Sequence, residues 1–273
     1  MKQIRLLLLL SLFVTFVMHE TYAKGYKFVV LETNFGTVKL RLYENTPKHS
    51  ENFLKLVKEH HYDGMLFHRV IKDFMVQGGA SDSKGAKPGQ MLGMSDPGYQ
   101  IDAEFHPEYF HKKGALAAAR EGDEVNPDKK SSAEQFYIVQ GKKYTDDDLN
   151  RLEKRRLDMA KNELGAKLFK PKQEEYKRYM QAGENVKGDS LLRAINADIT
   201  AQFADYKAHL FSAEAREAYK TVGGTPFLDG AYTVFGEVVE GLDVIDKIAV
   251  VKTDQNDRPV EDVVILKAVL KNK

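Results

Sequence analysis

Hydrophobic and polar residues alternate along the first part of the chain that has a clear pattern. In residues 37–43, Val38, Leu40 and Leu42 alternate with polar side chains, and residues 27–33 are similarly rich in apolar, β-forming side chains. A short loop that contains a glycine, residues 34–36, separates the two segments. Apolar alternation on both sides of such a loop predicts a β-hairpin.

A helical pattern follows the hairpin. Thr46-Pro47 is typical of a helix start, with threonine as the N-cap and proline as the first helical residue. Apolar side chains at 53, 54, 56 and 57 form one stripe of this helix. We expect the helix to run to about His60 and the chain to turn at Asp63-Gly64.

Most of the remaining apolar segments are short and predict strands. Residues 66–80 predict two strands interrupted at Lys72-Asp73, and further strand candidates are 116–119, 135–139, 232–239 and 262–270. Residues 241–249 predict a short helix. Many short strands with few helices favour a β-barrel or a β-sandwich.

Residues from about 142 to 222 have a different character, because they are rich in charge and poor in glycine and proline. One helix is predicted after Thr145-Asp146, and a second after a cap at Asp189 or Ser190, where apolar residues recur at steps of three and four. A third is predicted over 212–224. This segment is interpreted as a helical insertion between two strands, so the expected fold class is α+β, mainly β.

The N-terminus has the pattern of a secretory signal peptide. Lys2 and Arg5 precede the apolar run 6–18, and the segment ends in the small residue Ala23. The alternative is a retained membrane anchor, but the run is shorter than the roughly 20 residues that a spanning helix needs. We therefore expect cleavage after Ala23 and a mature chain, 24–273, that is periplasmic or secreted without stable membrane insertion.

Composition and charge exclude several function classes. The formal net charge is +1, which gives no basic stripe for nucleic acid. The chain has no cysteine, which excludes disulfides, thiol nucleophiles and thiolate metal sites. The histidines lack metal-site spacing, and no phosphate-binding or dinucleotide-binding loop is present. No metal, cofactor or nucleic-acid partner is expected.

Arg69 is the most unusual candidate for chemistry. It lies in FHRVIKDFMVQGGA, residues 67–80, among apolar side chains in a predicted strand, and the stretch has no acidic residue other than Asp73. Arginine is rarely buried without a partner. Either Arg69 pairs with an acid far away in the sequence, or it faces a ligand.

Four motifs that occur in order give the chain a family resemblance. FHRVIKDFMVQGG, then Ala119, SSAEQFYIV (131–139) and FLDGAYTVFG (227–236) together resemble the cyclophilin family of peptidyl-prolyl cis–trans isomerases. The resemblance covers about 26–141 and 223–270. It implies a closed eight-stranded antiparallel β-barrel capped by two helices, here in an exported, bacterial-like form interrupted at about 142–222.

The resemblance also implies roles for individual residues. Arg69 matches the catalytic arginine and Gln77 the residue that orients it. The positions that match the substrate-binding site are Phe74, Met75, Ala119, Arg120, Gln135, Tyr137, Phe227, Leu228 and Tyr232. Four of them depart from the best-known eukaryotic pattern, namely Tyr137 for Phe, Arg120 for Asn, Phe227 for Trp and Tyr232 for His. The change at Phe227 is expected to weaken cyclosporin binding.

The expected function is therefore acceleration of X–Pro isomerisation during the folding of exported proteins. Its partners would be proline-containing segments of unfolded or folding proteins, and the chain is expected to act as a monomer. The alternative is a non-catalytic chaperone or proline-peptide-binding module that acts through the helical insertion. The presence of Arg69, Gln77 and the proline-pocket residues favours the enzyme.

Overall fold

The computed structural model describes residues 27–95, 97–203 and 210–271. The expected signal peptide, 1–23, lies outside these residues. The chain forms two compact units. The first takes the described residues up to Tyr109, Gly114–Gln140 and those from Gly230 onward, and the second takes Phe110–Lys113 and Gly141–Asp229.

The first unit is built on the predicted hairpin. Strands β1 (Lys27–Thr33) and β2 (Gly36–Leu42) pair antiparallel, with Val29 opposite Leu40 and Leu31 opposite Val38. These four side chains are fully buried. The alternation seen in the sequence is therefore the alternation between the core face and the outer face of the sheet.

The main sheet also contains β3 (Arg69–Ile71), β4 (Met75–Gly78), β6 (Ala115–Ala118), β8 (Phe136–Val139), β9 (Val234–Glu240) and β10 (Ile265–Lys271). Its eight antiparallel strands follow the order β10-β1-β2-β9-β6-β8-β4-β3. A separate pair, β5 (Gln100–Ile101) with β7 (Ser131–Ser132), was not predicted. The mainly β class is confirmed, as is the break at Lys72-Asp73, where Asp73 has a φ of 61°.

The expected closed barrel needs a correction at the two end strands. Within the described residues, β3 and β10 do not pair with each other as strands. The chain just ahead of β3 instead approaches the start of β10, where Leu66 bridges Val264 and the Phe67 N–H donates to the Val263 carbonyl at 2.8 Å. Among the described residues the sheet is thus open between its end strands, and backbone hydrogen bonds between residues 64–67 and 263–265 span the gap.

Two helices pack against the sheet. Helix α1 (Pro47–Lys58) buries Phe53, Leu54, Leu56 and Val57, as predicted. Thr46 stands at its N-cap position but makes no capping hydrogen bond. The carboxylate of Glu104 accepts the first free N–H groups instead, from Lys48 at 3.1 Å and from His49 at 3.0 Å. The second helix, α6 (Leu242–Ile248), is the one predicted over 241–249.

The second unit is helical. In chain order it contains α2 (Asp146–Phe169), α3 (Gln173–Gln181), α4 (Asn185–Gln202) and α5 (Ala213–Thr221). Thr145 and Asp148 form a capping box at the start of α2, and Ser212 caps α5. A small core joins α2 to α5, comprising Phe110, Leu149, Phe211, Ala215 and Tyr219.

One helix boundary in this unit was predicted wrongly. Helix α4 begins at Asn185, so Asp189 and Ser190 lie inside it and do not cap it. Gly188, which the sequence makes a natural break, is buried where an added Cβ would meet Met180 and Tyr176 of α3. Close packing of α3 on α4 therefore carries the helix through the glycine.

None of the helices among the described residues is long and apolar enough to span a membrane. The interpretation of 142–222 as an insertion into a β domain stays a prediction.

Candidate active site

Arg69, Gln77 and Tyr137 lie side by side on three neighbouring strands. Arg69 of β3 stands opposite Gln77 of β4, and Gln77 stands opposite Tyr137 of β8. Directly opposed residues on antiparallel strands share a face of the sheet. The alternate positions, such as Val70 and Val76, belong to the hydrophobic core, so the three candidate residues lie on the outer face.

Arg69 is not buried. Its side chain is 43% exposed, and its Nε donates to Oδ2 of Asp257 at 3.4 Å, a carboxylate that is itself 41% exposed. Among the described residues the terminal nitrogens Nη1 and Nη2 make no hydrogen bond. The distant salt bridge considered from the sequence therefore exists, and it leaves most of the guanidinium donors free.

A tight turn holds Asp257 beside Arg69. The Asp254 carboxylate accepts the backbone N–H groups of Asn256 at 2.8 Å and Arg258 at 3.0 Å. Asp257 has a φ of 61°, in the left-handed region that aspartate tolerates better than most residues. Its carbonyl accepts the N–H of Val70 at 2.8 Å, which joins the turn to β3.

Gln77 is hydrogen-bonded to Gln135 rather than to Arg69. Its Nε2 donates to Oε1 of Gln135 at 3.0 Å, and Nε2 of Gln135 donates to the Gly93 carbonyl at 3.1 Å. The two side-chain amides thus form a short hydrogen-bond chain, the amide relay, which connects the sheet to the loop around Gly93. The structure places Gln77 next to Arg69, and the expected orienting contact between their side chains stays a prediction.

The backbone groups of Ala119 are hydrogen-bonded to other described residues, whereas those of Arg120 are not. The Ala119 N–H donates to the Gln135 carbonyl at 2.9 Å, and the Ala119 carbonyl accepts the Ser132 N–H at 2.8 Å. Within the described part of the chain, the N–H and C=O of Arg120 have no hydrogen-bond partner. Arg120, the second residue after β6, therefore offers one donor and one acceptor to an extended peptide.

The Arg120 side chain, unlike its backbone, is fully engaged. It is 4% exposed and forms an ion pair with Asp123 at 2.7 Å. Its Nε donates to the Ala231 carbonyl at 2.7 Å, and its guanidinium carbon lies 4.5 Å from the ring centroid of Tyr232. The Tyr232 ring packs edge-on against Tyr137, with 6.0 Å between centroids.

A cavity of about 300 Å³ adjoins this group of residues. Its walls are formed by residues of the loop around Gly93, by the chain after β6 and by the amide relay, namely Gln77, Gly93, Met94, Ser95, Tyr99, Gln100, Ala119, Arg120, Glu121, Ser132 and Gln135. Three of the predicted substrate-binding residues, Ala119, Arg120 and Gln135, thus lie together with Gln77 around one cavity. The described residues contain no cluster of three or more side chains suited to hold a metal ion.

Phe74 and Met75 follow the turn between β3 and β4. Met75 is 2% exposed and stands opposite Ile71 and Val139, on the same face as Gln77. Phe74 is partly exposed, and its carbonyl accepts the Gln140 N–H at 3.0 Å. Met75 is therefore more deeply buried than an open pocket wall would be.

Phe227 and Leu228 belong to the second unit. They lie on the 3-10 turn Pro226–Leu228, and Phe227 is 51% exposed. The carboxylate of the following residue, Asp229, accepts hydrogen bonds from the Tyr219 hydroxyl at 2.6 Å and from the His111 backbone N–H at 2.9 Å, and it contacts Nδ1 of His111 at 2.9 Å. Membership of Phe227 and Leu228 in the proline pocket stays a prediction.

Asp257 and Asp123 were not identified from the sequence. The partner of Arg69 lies 188 positions away, and no local pattern connects the two residues. Asp123, by contrast, follows Arg120 by three residues. That spacing was a usable signal for an ion pair in a turn.

Comparison with known proteins assigns a family to this arrangement. The family model described as "Cyclophilin type peptidyl-prolyl cis-trans isomerase/CLD" matches residues 28–210 and 212–270. A curated Staphylococcus epidermidis protein, "Putative peptidyl-prolyl cis-trans isomerase", is 32% identical over 238 residues, which cover 87% of this chain and 88% of that protein. A Staphylococcus aureus protein of the same name is 30% identical with the same coverage.

Two further matches differ in length or in sequence. A Streptococcus pyogenes "Putative bifunctional phosphatase/peptidyl-prolyl cis-trans isomerase" is 32% identical over 240 residues, but the chain spans only 37% of that protein. The crystal structure of a Cryptosporidium parvum cyclophilin-type isomerase shares the fold, with a TM-score of 0.52 and 18% identity over 91% of this chain and 99% of that chain. The chain belongs to the cyclophilin-type peptidyl-prolyl cis-trans isomerase family.

Proposed function

We propose that this chain catalyses cis–trans isomerisation of X–Pro bonds in exported proteins as they fold, with Arg69 as the catalytic donor. The observation that supports this most is the state of Arg69. Its guanidinium is half-exposed, is held through Nε by Asp257, and keeps its terminal donors free beside Gln77 and Tyr137.

The reaction needs a donor rather than a nucleophile. Rotation about a peptide bond has a barrier of about 18–20 kcal/mol, because the nitrogen lone pair is delocalised into the carbonyl group. For X–Pro bonds the isomers lie within about 1 kcal/mol of each other, yet they exchange over tens to hundreds of seconds. No bond breaks, so the catalyst needs only to favour the twisted state, in which the prolyl nitrogen becomes pyramidal and accepts a hydrogen bond.

Arginine suits this role for a physical reason. Its guanidinium remains protonated at every relevant pH and has five N–H donors in a fixed plane. A donor that meets the nitrogen only in the twisted state stabilises the transition state more than the planar ground state, and this difference is what accelerates the reaction. Asp257 fixes Nε, so Nη1 and Nη2 are the atoms that we assign to the prolyl nitrogen.

The other residues would hold the substrate while the bond rotates. We assign the proline ring to a wall that includes Tyr137 and Tyr232, which pack against each other edge-on. The free N–H and C=O of Arg120 would pair with the substrate backbone in the manner of an added strand. Together these contacts keep the prolyl side of the bond still, and the preceding carbonyl swings.

The site of action is part of the proposal. The N-terminal pattern around Lys2, Arg5 and Ala23 favours export. The clients would then be unfolded or folding segments that contain proline, met outside the cytoplasm.

The test is a direct measurement of exchange on the mature chain, residues 24–273. Cis-to-trans exchange of an Ala-Pro peptide is followed with the wild type, with Arg69→Ala and with buffer alone. We expect clear acceleration by the wild type and a loss of about ten-fold or more in Arg69→Ala, equivalent to about 1.4 kcal/mol. A wild-type rate equal to that in buffer would rule out the enzyme.

A further inference from the structure

Arg120 carries a buried charge that the proposed reaction does not use. Its side chain is 4% exposed, although it begins next to an open cavity. A buried cation is costly unless it is paired and hydrogen-bonded. Arg120 meets this requirement through Asp123 at 2.7 Å and through two backbone carbonyls, those of Ala231 at 2.7 Å and Glu121 at 2.8 Å.

These contacts converge on one aromatic side chain. Nε of Arg120 fixes the carbonyl of Ala231, the residue that immediately precedes Tyr232. The guanidinium carbon lies 4.5 Å from the Tyr232 ring centroid, within the range of a cation–π contact. One side chain therefore holds both the backbone ahead of Tyr232 and the face of its ring.

Contacts also connect Tyr232 to the row of candidate site residues formed by Arg69, Gln77 and Tyr137. Tyr232 packs edge-on against Tyr137 at 6.0 Å, and Tyr137 stands opposite Gln77 on the neighbouring strand. Arg120, Tyr232, Tyr137 and Gln77 thus form a continuous series of contacts. Lysine would not replace the arginine, because a compact ammonium lacks the planar fork that bonds a carbonyl and stacks on a ring at the same time.

We infer that the Arg120 side chain is a positioning residue that holds Tyr232 as the wall of the proline pocket and thereby sets the affinity for the proline ring. This inference rests on the proposed function for the identity of the ligand. Asp123 takes part because its carboxylate pairs with Nη1 of Arg120 at 2.7 Å.

The kinetic consequence differs from that of Arg69. The proline ring occupies its pocket before, during and after the rotation, so a weaker wall lowers ground-state and transition-state binding equally. Loss of such uniform binding raises KM and leaves kcat unchanged. Arg120→Gln should therefore raise KM about five-fold, the size expected for a partly buried cation–π contact, with kcat unchanged.

A double-mutant cycle tests whether Arg120 acts through Tyr232. In a Tyr232→Leu background the ring is absent, so adding Arg120→Gln should raise KM less than about two-fold further. An equal effect of Arg120→Gln in both backgrounds would overturn the inference, as would an unchanged KM in the single variant. Arg120→Lys should fall between wild type and Arg120→Gln.

A matched control separates positioning from general stability. Arg216 of α5 is also a paired arginine of limited exposure, 24%, and it forms ion pairs with Asp146 at 3.1 Å and Glu153 at 3.0 Å. Arg216→Gln should lower the melting temperature and leave KM unchanged. Equal rises in KM for the two variants would contradict a specific role for Arg120.

A second measurement does not depend on turnover. The chain contains no tryptophan, so Tyr232→Trp places a single fluorescent indole at the wall. Adding Arg120→Gln should shift its emission to longer wavelength and raise its quenching by acrylamide, and should weaken an Ala-Pro peptide titration about five-fold. Unchanged emission, quenching and peptide affinity would overturn the inference, whether or not the wild type is active. An inactive wild type would by itself reject only the proposed function.

Discussion

Replacing Asp257 by asparagine removes the charge that holds Arg69 and keeps a side chain of similar size. The pair joins Nε to Oδ2 at 3.4 Å, and both side chains are more than two-fifths exposed. Two unit charges at that distance in water attract each other by about 1 kcal/mol, and exposed pairs contribute about 0.2–1 kcal/mol once entropy is included. A contribution of 1 kcal/mol corresponds to about five-fold in rate.

Asp257→Asn should therefore lower kcat by about two- to five-fold, clearly less than Arg69→Ala. The assay is peptide exchange at saturating Ala-Pro substrate, at low salt and again at about 1 M salt, where the screening length falls to about 3 Å. Wild-type kcat should fall towards that of the variant at high salt, whereas the variant should respond little. Glu240→Gln serves as the control, because Glu240 forms an exposed ion pair with Lys39 elsewhere in the sheet.

Three outcomes would contradict this reasoning about Arg69. A loss as large as that of Arg69→Ala would mean that Asp257 does more than orient the arginine through a weak surface pair. A variant equal to wild type at low salt would mean that the pair does not orient it. A matching loss in Glu240→Gln would point to a general effect of net charge.

Three further predictions concern the rest of the chain. Deletion of residues 143–221 should leave peptide turnover intact, because Lys142 and Gly224 already exchange two backbone hydrogen bonds at 3.0 and 3.3 Å. Lost turnover in a deletion variant that keeps the circular dichroism signal of the main sheet would contradict this prediction. Burial lowers the pKa of His68 to about 4, so the unfolded chain binds that proton first and the unfolding free energy should fall between about pH 6.5 and 4. Urea titrations should show that the unfolding free energy of His68→Leu falls less over this pH range than that of the wild type, by up to about 3 kcal/mol. An identical fall in the two proteins would exclude His68 as the cause. Gly79→Ala should lower the melting temperature more than Gly85→Ala. Both glycines have positive φ, but only a Cβ at position 79 would clash with a carbonyl oxygen, that of Glu134. Equal melting temperatures of the two variants would contradict this prediction.

Short-range patterns predicted the first unit well, because its local structure depends on neighbouring residues. The alternation at Val38, Leu40 and Leu42 identified the hairpin, and the polar pair Lys72-Asp73 identified the break between β3 and β4. The family motifs predicted Arg69, Gln77 and Tyr137 as residues of one site, and only the structure shows that they lie opposite one another on neighbouring strands.

Features that depend on distant residues could not be predicted in this way. Glu104 takes over the capping of α1 from Thr46, and Asp257 reaches Arg69 from the last part of the chain. The two-residue strands β5 and β7 are too short to show any periodicity. Each of these contacts is made by the tertiary fold, which overrides or supplements the local preference.

The most direct test of the central claim is a separate determination of kcat and KM for Arg69→Ala with an Ala-Pro peptide. If Arg69 is a fixed donor to a nitrogen that becomes basic only during rotation, kcat should fall by about ten-fold or more and KM should change by less than about two-fold. A raised KM with an unchanged kcat would show that Arg69 binds the ground state, and it would contradict the mechanism.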